Sequence, residues 1–431
     1  MKAALIFTLT LFAQLSALEM QQPPISRPSL SSPQMTAASP RRGGAGPVLW
    51  IAGTDGAGNL DVRAGSASFA RNSTAYEWTG SELANRAIDY ARIRCFPTDD
   101  STGLCIEGQK TNFLTYSQSL NLVWGRTNLT TVAADVAEFL GLGEIAEAIA
   151  PNVSDLAHRV YQNAGVQASA RMGLSFYFQY LNRQWAHITG VESGVESHFT
   201  FADIQNCVAG SSYGAAIGYV DDWAGWCRVQ QVFTHTGVAP IYAAGGTAQS
   251  DGDTSFVGST ENEIYEVAAQ LENDIPSSYI PTAGAAVTRA AEKITFASNQ
   301  LDKLQGAVEL SFTPHWKSAY LVDGDRFYLL DLGDLEIYAE MSGADYQITA
   351  TDGTNSISHA VSFAYGQKHS IKLAWGGSTF VFDVDGEKSV AAYTPPDFAT
   401  TAVLGCNDEY GNCLFGQFTD SIKFYRYKKN P

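Results

Sequence analysis

From Val48 onward, apolar and polar residues alternate with period two, and Gly, Asp and Asn break the alternation at short intervals. This texture constrains the chain more than any other feature. A period of two sends successive side chains to opposite faces of a strand, whereas a helix needs a period of 3.6. Leu174–Tyr180, Arg228–Thr234 and Ile371–Trp375 read as strands. Asp251-Gly252, Asp323-Gly324, Asp352-Gly353 and Asp385-Gly386 supply turn chemistry between them. The one helix-like stretch is Val132 to Ile149, and Gly141 and Gly143 interrupt it, so helix and non-helix readings both stay open. The expected class is all-β, and 431 residues suffice for two domains in tandem.

The flanks differ from this body. Lys2 precedes an apolar run from Ala3 to Ala13, with small residues at Ser16 and Ala17, which reads as an export signal over residues 1–17. A buried hydrophobic element is the alternative. The run falls short of the roughly 18 apolar residues of a membrane span, so no membrane insertion is expected. Residues 18–47, rich in Pro, Ser, Gln and Gly, read as a flexible linker. A second boundary is expected near residues 281–293, giving domains at 48–290 and 291–431.

The net charge of −17 excludes the basic stripe that a nucleic-acid or anionic-membrane partner requires. The six cysteines fall into three sequence-local pairs, Cys95 with Cys105, Cys207 with Cys227 and Cys406 with Cys413. Proximity suggests three disulfides in an oxidising compartment, one of fifteen connectivities. No CxxC or His-bearing cluster favours a metal, and free buried thiols are the remaining alternative.

Three stretches resemble a family of phage-type virion proteins (head fibres, head spikes and tail proteins) with a jelly-roll carbohydrate-binding-like domain. Gly65–Trp78 with Thr102–Ser117 is similar to the family's opening strands. Asp222–Thr234 is similar to its Gly-Trp-Tyr-Arg-Val strand, with Cys227 at the Tyr position. Glu261–Glu292 is similar to its Gln-Leu-Glu, Ser-Tyr-Ile-Pro-Thr and Val-Thr-Arg-Ala ending. The family is usually encoded without an export signal or paired cysteines. In the remainder, Ile371–Gly386 and Phe415–Tyr427 resemble strands of a laminin-G or concanavalin A-like lectin sandwich. Together these resemblances imply two antiparallel β-sandwiches at a secreted or virion-surface location. Homo-oligomerisation or attachment to a virion would fit such a protein.

For chemistry, alternation places Asp334, Glu336, Tyr338 and Glu340 on one face of a strand. Retaining β-glucanases of concanavalin-type fold carry a Glu-x-Asp-x-Glu strand; Glu336 and Glu340 match its ends, but Tyr338 replaces the central Asp. An ideal strand also separates positions i and i+4 by about 13 Å, against about 5–5.5 Å for retaining chemistry. A solvated acidic face is the simpler expectation. The seven histidines form no HxH or HxxxH pair. Asp251 with Asp253, and Asp323 with Asp325, offer turn carboxylates that could hold Ca²⁺, or merely turns; no other cofactor is expected.

Aromatic residues offer a different chemistry. Sugars present C–H faces that pack on Trp and Tyr. Tyr180 and Trp185 flank Asn182-Arg183, His315-Trp316 lies near Tyr320 and an Asp-Gly turn, and Tyr338 lies on the acidic face. Trp226 and Trp375 are expected in the core, and core packing rivals binding for Trp185 and Trp316. The readings are a non-catalytic polysaccharide-binding adhesin or spike, a secreted polysaccharide hydrolase or lyase, and a structural virion component. Tyr338 in place of Asp favours the first over the second.

Overall fold

The computed structural model describes residues 46–426, apart from short stretches at 56–57, 80, 93, 97–102, 169–170, 193–194, 236, 344 and 408–411. The expected signal, and nearly all of the expected linker, lie outside the described residues. Those described form an all-β structure of antiparallel sheets, with no α-helix among them.

The first sandwich packs two sheets face to face. One has six strands, in the order Ile217–Trp223, Trp226–Thr234, Arg171–Tyr180, Ile264–Asn273, Glu144–Pro151 and Leu129–Glu138. The other runs Val208–Tyr213, Val195–Asp203, Trp185–Glu192, Pro240–Ala248, Asp155–Val166 and Ser255–Val257, with Gly125–Thr127 also paired to Asp155–Val166. Met172, Leu174, Phe176 and Phe178 from the first sheet meet Val160, Ala186, Ile188 and Ala243 from the second. Leu271 lies in the same core, as its phase in Gln-Leu-Glu requires.

The helix-like stretch is a β-hairpin. Leu129–Glu138 pairs with Glu144–Pro151, and Gly141 and Gly143, at φ +81° and +92°, make the turn. Left-handed backbone of this kind suits glycine and ends any helix, so the helical alternative is corrected. Ser278–Thr282, the Ser-Tyr-Ile-Pro-Thr stretch, forms no strand. Side chains bind its backbone instead, with Ser278 N donating to Glu107 and Ile280 N to Gln270.

The second sandwich pairs a nine-stranded sheet with a seven-stranded one. Four strands from the first part of the chain complete them, one of which, Leu60–Ala64, is paired to Leu49–Thr54. Leu49–Thr54 pairs with Ile422–Tyr425, Leu104–Ile106 with Gly416–Phe418, and Ser68–Ala70 with Lys293–Ala297. A cut between residues 290 and 291 therefore does not follow the sheets, and the expected boundary is corrected: residues 46–431 cluster as one compact unit. Every residue from Trp226 to Phe233 is buried, because the six-stranded sheet is covered on both faces. Its far face carries Tyr177, Trp223 and Trp226 into a core continuous with the second sandwich, through Phe96 and Phe415.

Where these parts meet, a fully buried ion network ties them. Glu292 accepts from Arg71 (2.8 Å) and Arg92 (2.7 and 2.5 Å), and Glu107 accepts from Arg92 (2.6 Å) and Arg289 (2.9 Å). Burial pushes the Glu107 carboxyl up, but Arg289 and Arg92 outweigh it and hold it at about 2. All three disulfides form in the expected local pairs.

Two outcomes follow. Glu292→Gln leaves buried guanidinium groups short of a counter-charge, and should cost about 3–5 kcal/mol in denaturant unfolding. A fragment of residues 291–431 lacks four sheet strands and most of the ion network. It should show no cooperative melt; a sharp calorimetric transition for it would contradict the interleaved fold.

Candidate functional site

The outer face of the first sandwich's seven-stranded sheet is set by phase. Ala186 and Ile188 point into the core, so Trp185, His187 and Thr189 point outward. Register aligns the neighbours in rows. Trp185 lies beside Asp203 and Ala248, His187 beside Phe201 and Gly246, and Thr189 beside Phe199 and Ala244. Arg159 and Tyr161 continue the second and third rows. The outward residues of Pro240–Ala248 thus include Ala244, Gly246 and Ala248, a lane of small residues that, like His187 and Thr189 beside it, is buried under the surrounding side chains.

Two rings on this face are packed against glycines. A Cβ on Gly210 would come within 2.8 Å of Trp185 Cζ3, and one on Gly125 would collide with the Tyr161 ring. Both rings are half-buried and lean away from the lane. Tyr213, 50 % exposed, meets Phe201 edge-on at 5.9 Å, and Tyr242 lies 6.2 Å from Tyr161. Beside Trp185, Asp251 accepts from Ser211 N (2.7 Å) and Oγ (2.9 Å). Burial, with Arg159 nearby, pushes His187 down to about 3, so its ring is neutral.

Of the residues expected from sequence to bind sugar, Trp185 is on this face. Tyr180 is exposed but belongs to the opposite sheet, at the sandwich rim. Trp316 is core: it is 1 % exposed and stacks on Phe327 at 4.2 Å. Tyr338 is likewise withdrawn, beneath Arg326 at 4.0 Å and beside Tyr328. Both are corrected as stacking platforms, since a buried ring offers no face. Trp226 and Trp375 are in the core. Sequence reading missed Tyr161, Phe199, Tyr213 and Tyr242. Outward phase in adjoining strands was their signal, but it becomes usable only once strand order is known.

The acidic strand does not assemble a retaining pair. Glu340 is held by Arg326 (3.0 Å), Gln347 (3.2 Å) and Thr349 (3.1 Å), with Tyr338 between it and Glu336. Burial, then Asp331, push Glu336 up to about 7. The turn carboxylates weighed for Ca²⁺ are engaged elsewhere. Asp325 binds Arg171 through both oxygens (2.8 and 3.0 Å), and Asp323 accepts from Gly343 N (2.6 Å). A guanidinium already neutralises Asp325, which corrects that candidate. Among the described residues, Cys95, Cys105, Glu107 and Glu292 lie within ligand reach of one another. The cysteines are disulfide-bonded and the glutamates are taken by arginines, so this donor set does not fit a cation.

No family model matches the chain, and no curated protein matches it. Among solved structures it is similar to domains LG4-5 of the mouse laminin alpha1 chain, at 11% identity over 68% of this chain and 91% of that one, with a TM-score of 0.21. It is also similar to the LG1-3 region of the laminin alpha2 chain, at 8% identity over 62% and 63%, with a TM-score of 0.19. Among the described residues, no helix is long and apolar enough to cross a membrane.

Glu336 gives a pH test. Its folded pKa is raised, so the folded state binds more protons than the unfolded state between about 4.5 and about 7. Its contribution to stability is full below that window and is lost as pH rises through it. Glu336→Gln should flatten this part of the stability–pH curve, measured by denaturant midpoints at pH 4.5 and pH 7.5.

Proposed function

We propose that the protein is a non-catalytic carbohydrate-binding protein of the cell exterior or a particle surface, which holds polysaccharide on the outer face of its first sandwich. The carrying observation is the pair of half-buried outward rings packed against glycines, Trp185 at Gly210 and Tyr161 at Gly125. Glycine lets a ring settle against the backbone and leaves its other face available to a sugar. The Asp251 carboxylate, which takes two bonds from Ser211, stands beside Trp185 with acceptor capacity left for hydroxyl hydrogen bonds. Three disulfides support an oxidising location.

The runner-up is a polysaccharide hydrolase, favoured by one observation, the Glu336 carboxyl raised to about 7, where a general acid would work. One set of variants separates the two. Trp185→Ala should weaken polysaccharide retention about five- to thirtyfold, the equivalent of about 1–2 kcal/mol, with the melting temperature nearly unchanged. Trp316→Ala should instead cost about 3–5 kcal/mol of stability. Release of reducing ends by the wild type, abolished by Glu336→Gln, would promote the hydrolase.

A further inference from the structure

The seam between the two sandwiches encloses an amine and a carboxyl group in one small cavity. Along Ile217–Trp223, Val220 points into the first sandwich's core, so Tyr219, Asp221 and Trp223 point the other way, toward the second sandwich. Across the seam, Lys317 reaches back from the loop that follows Gln305–Pro314. Its Nζ stands 3.0 Å from the centre of the Tyr219 ring and 3.2 Å from that of Tyr365, and the two rings are 5.7 Å apart. Among the described residues, rings surround this amine and no carboxylate pairs with it.

Asp221 is 2 % exposed. Its Oδ2 accepts from Gln230 Nε2 (2.5 Å), while its Oδ1 is buried without a hydrogen bond. The cavity that Asp221 and Lys317 share has a volume of about 10 Å³, room for a single water. Tyr320 also lines it, with a hydroxyl buried without a hydrogen bond. Burial favours the neutral form of both reactive groups. It pushes Lys317 down to about 7, against the pull of Asp221, and pushes Asp221 up past the opposing effects of Lys317 and Arg228. A neutral amine is a nucleophile, and a neutral carboxyl group accepts one far better than a carboxylate does.

Reach is available. Tyr219 and Asp221 are two residues apart on one face, about 6.6 Å along the strand. The amine already lies over the Tyr219 ring, and rotation of the flexible four-carbon lysine stem carries it the remaining distance to Asp221 Cγ.

We propose that Lys317 and Asp221 condense into an intramolecular amide, a covalent cross-link between the two sandwiches. The Nζ lone pair attacks Cγ and the Nζ–Cγ bond forms. The bond from Cγ to Oδ1 then breaks, and that hydroxyl departs with an amine proton as one water. The step needs no oxidant, reductant or cofactor. Gln230, donating to Oδ2, stabilises the negative charge that develops there as the amine adds. Enclosure holds the reactants at high effective concentration and leaves little water to reverse the step. The amide also removes an unpaired amine and an unpaired carboxyl group from the seam. Pulling the sandwiches apart would then require breaking a covalent bond.

Mass spectrometry of the full chain tests this, after the folded protein has stood at neutral and at mildly alkaline pH and has then been denatured with its disulfides reduced. The intact mass should fall short of the sequence mass of the purified chain by one water. Proteolysis should yield a branched peptide that joins the segments carrying Asp221 and Lys317. Lys317→Arg, which keeps a cation between the rings, and Asp221→Ala should each restore the full mass. The wild-type mass decides the matter even where a variant fails to fold. Full mass in the wild type, or a water loss that persists in Lys317→Arg, would overturn the cross-link.

Discussion

The structure depends on two buried carboxylates facing three buried guanidinium groups. Glu292 and Glu107 draw in Arg71, Arg92 and Arg289, and Ser278 joins them through its backbone and hydroxyl. Desolvating five charges is expensive, and such clusters often add little net stability over a well-packed apolar equivalent. What this one does is fix position. Its members come from widely separated segments, and Glu292 directly precedes Lys293–Ala297, a strand of the second sandwich. None of the charges can be left uncompensated inside the protein, so the segments must arrive together.

That requirement makes the fold one body, with consequences for where a ligand can go. The six-stranded sheet lies between the first sandwich's core and the aromatic layer of Trp223, Trp226 and Tyr177. Arg171, bonded to Asp325, ties the same sheet to the second sandwich. With that sheet covered on both faces, the broad outward surface of the first sandwich belongs to the seven-stranded sheet. The aromatic rings over glycines are on that surface.

Much of this was legible in the chain, and the failures share a cause. Alternation and Asp-Gly turns identify the class because they depend on neighbours in sequence. The disulfide pairs were legible for the same reason, with separations of 10, 20 and 7 residues. Trp316 and Tyr338 misled because a side chain's exposure depends on what packs against it from afar. Phe327 and Phe363 cover the first, and Arg326 and Tyr328 the second. The resemblance of the motifs around Arg71, Glu107, Ser278, Arg289 and Glu292 marked important positions without showing that they converge. The domain cut failed because Leu49–Thr54 finds its partner at Ile422–Tyr425, a pairing no local pattern announces.

The strand Pro240–Ala248 shows how tightly the face is bound to the interior beneath it. Outward, Ala244, Gly246 and Ala248 are buried against the side chains around them. Inward, Gly245 leaves room for the Glu266 carboxyl, which a Cβ there would strike. Glu266 pairs across strands with Glu147, and burial followed by that like charge raises it well above the ordinary carboxylate range. A neutral acid can remain in an apolar core at far smaller cost than a carboxylate. Small residues are therefore needed on both sides of this strand, outside because the surrounding side chains bury them and inside to admit the acid. A side chain at 246 would strike the backbone of His158 and Arg159 in the neighbouring strand, and one at 245 would strike the Glu266 carboxyl. Each would alter the same face while leaving both aromatic rings in the sequence.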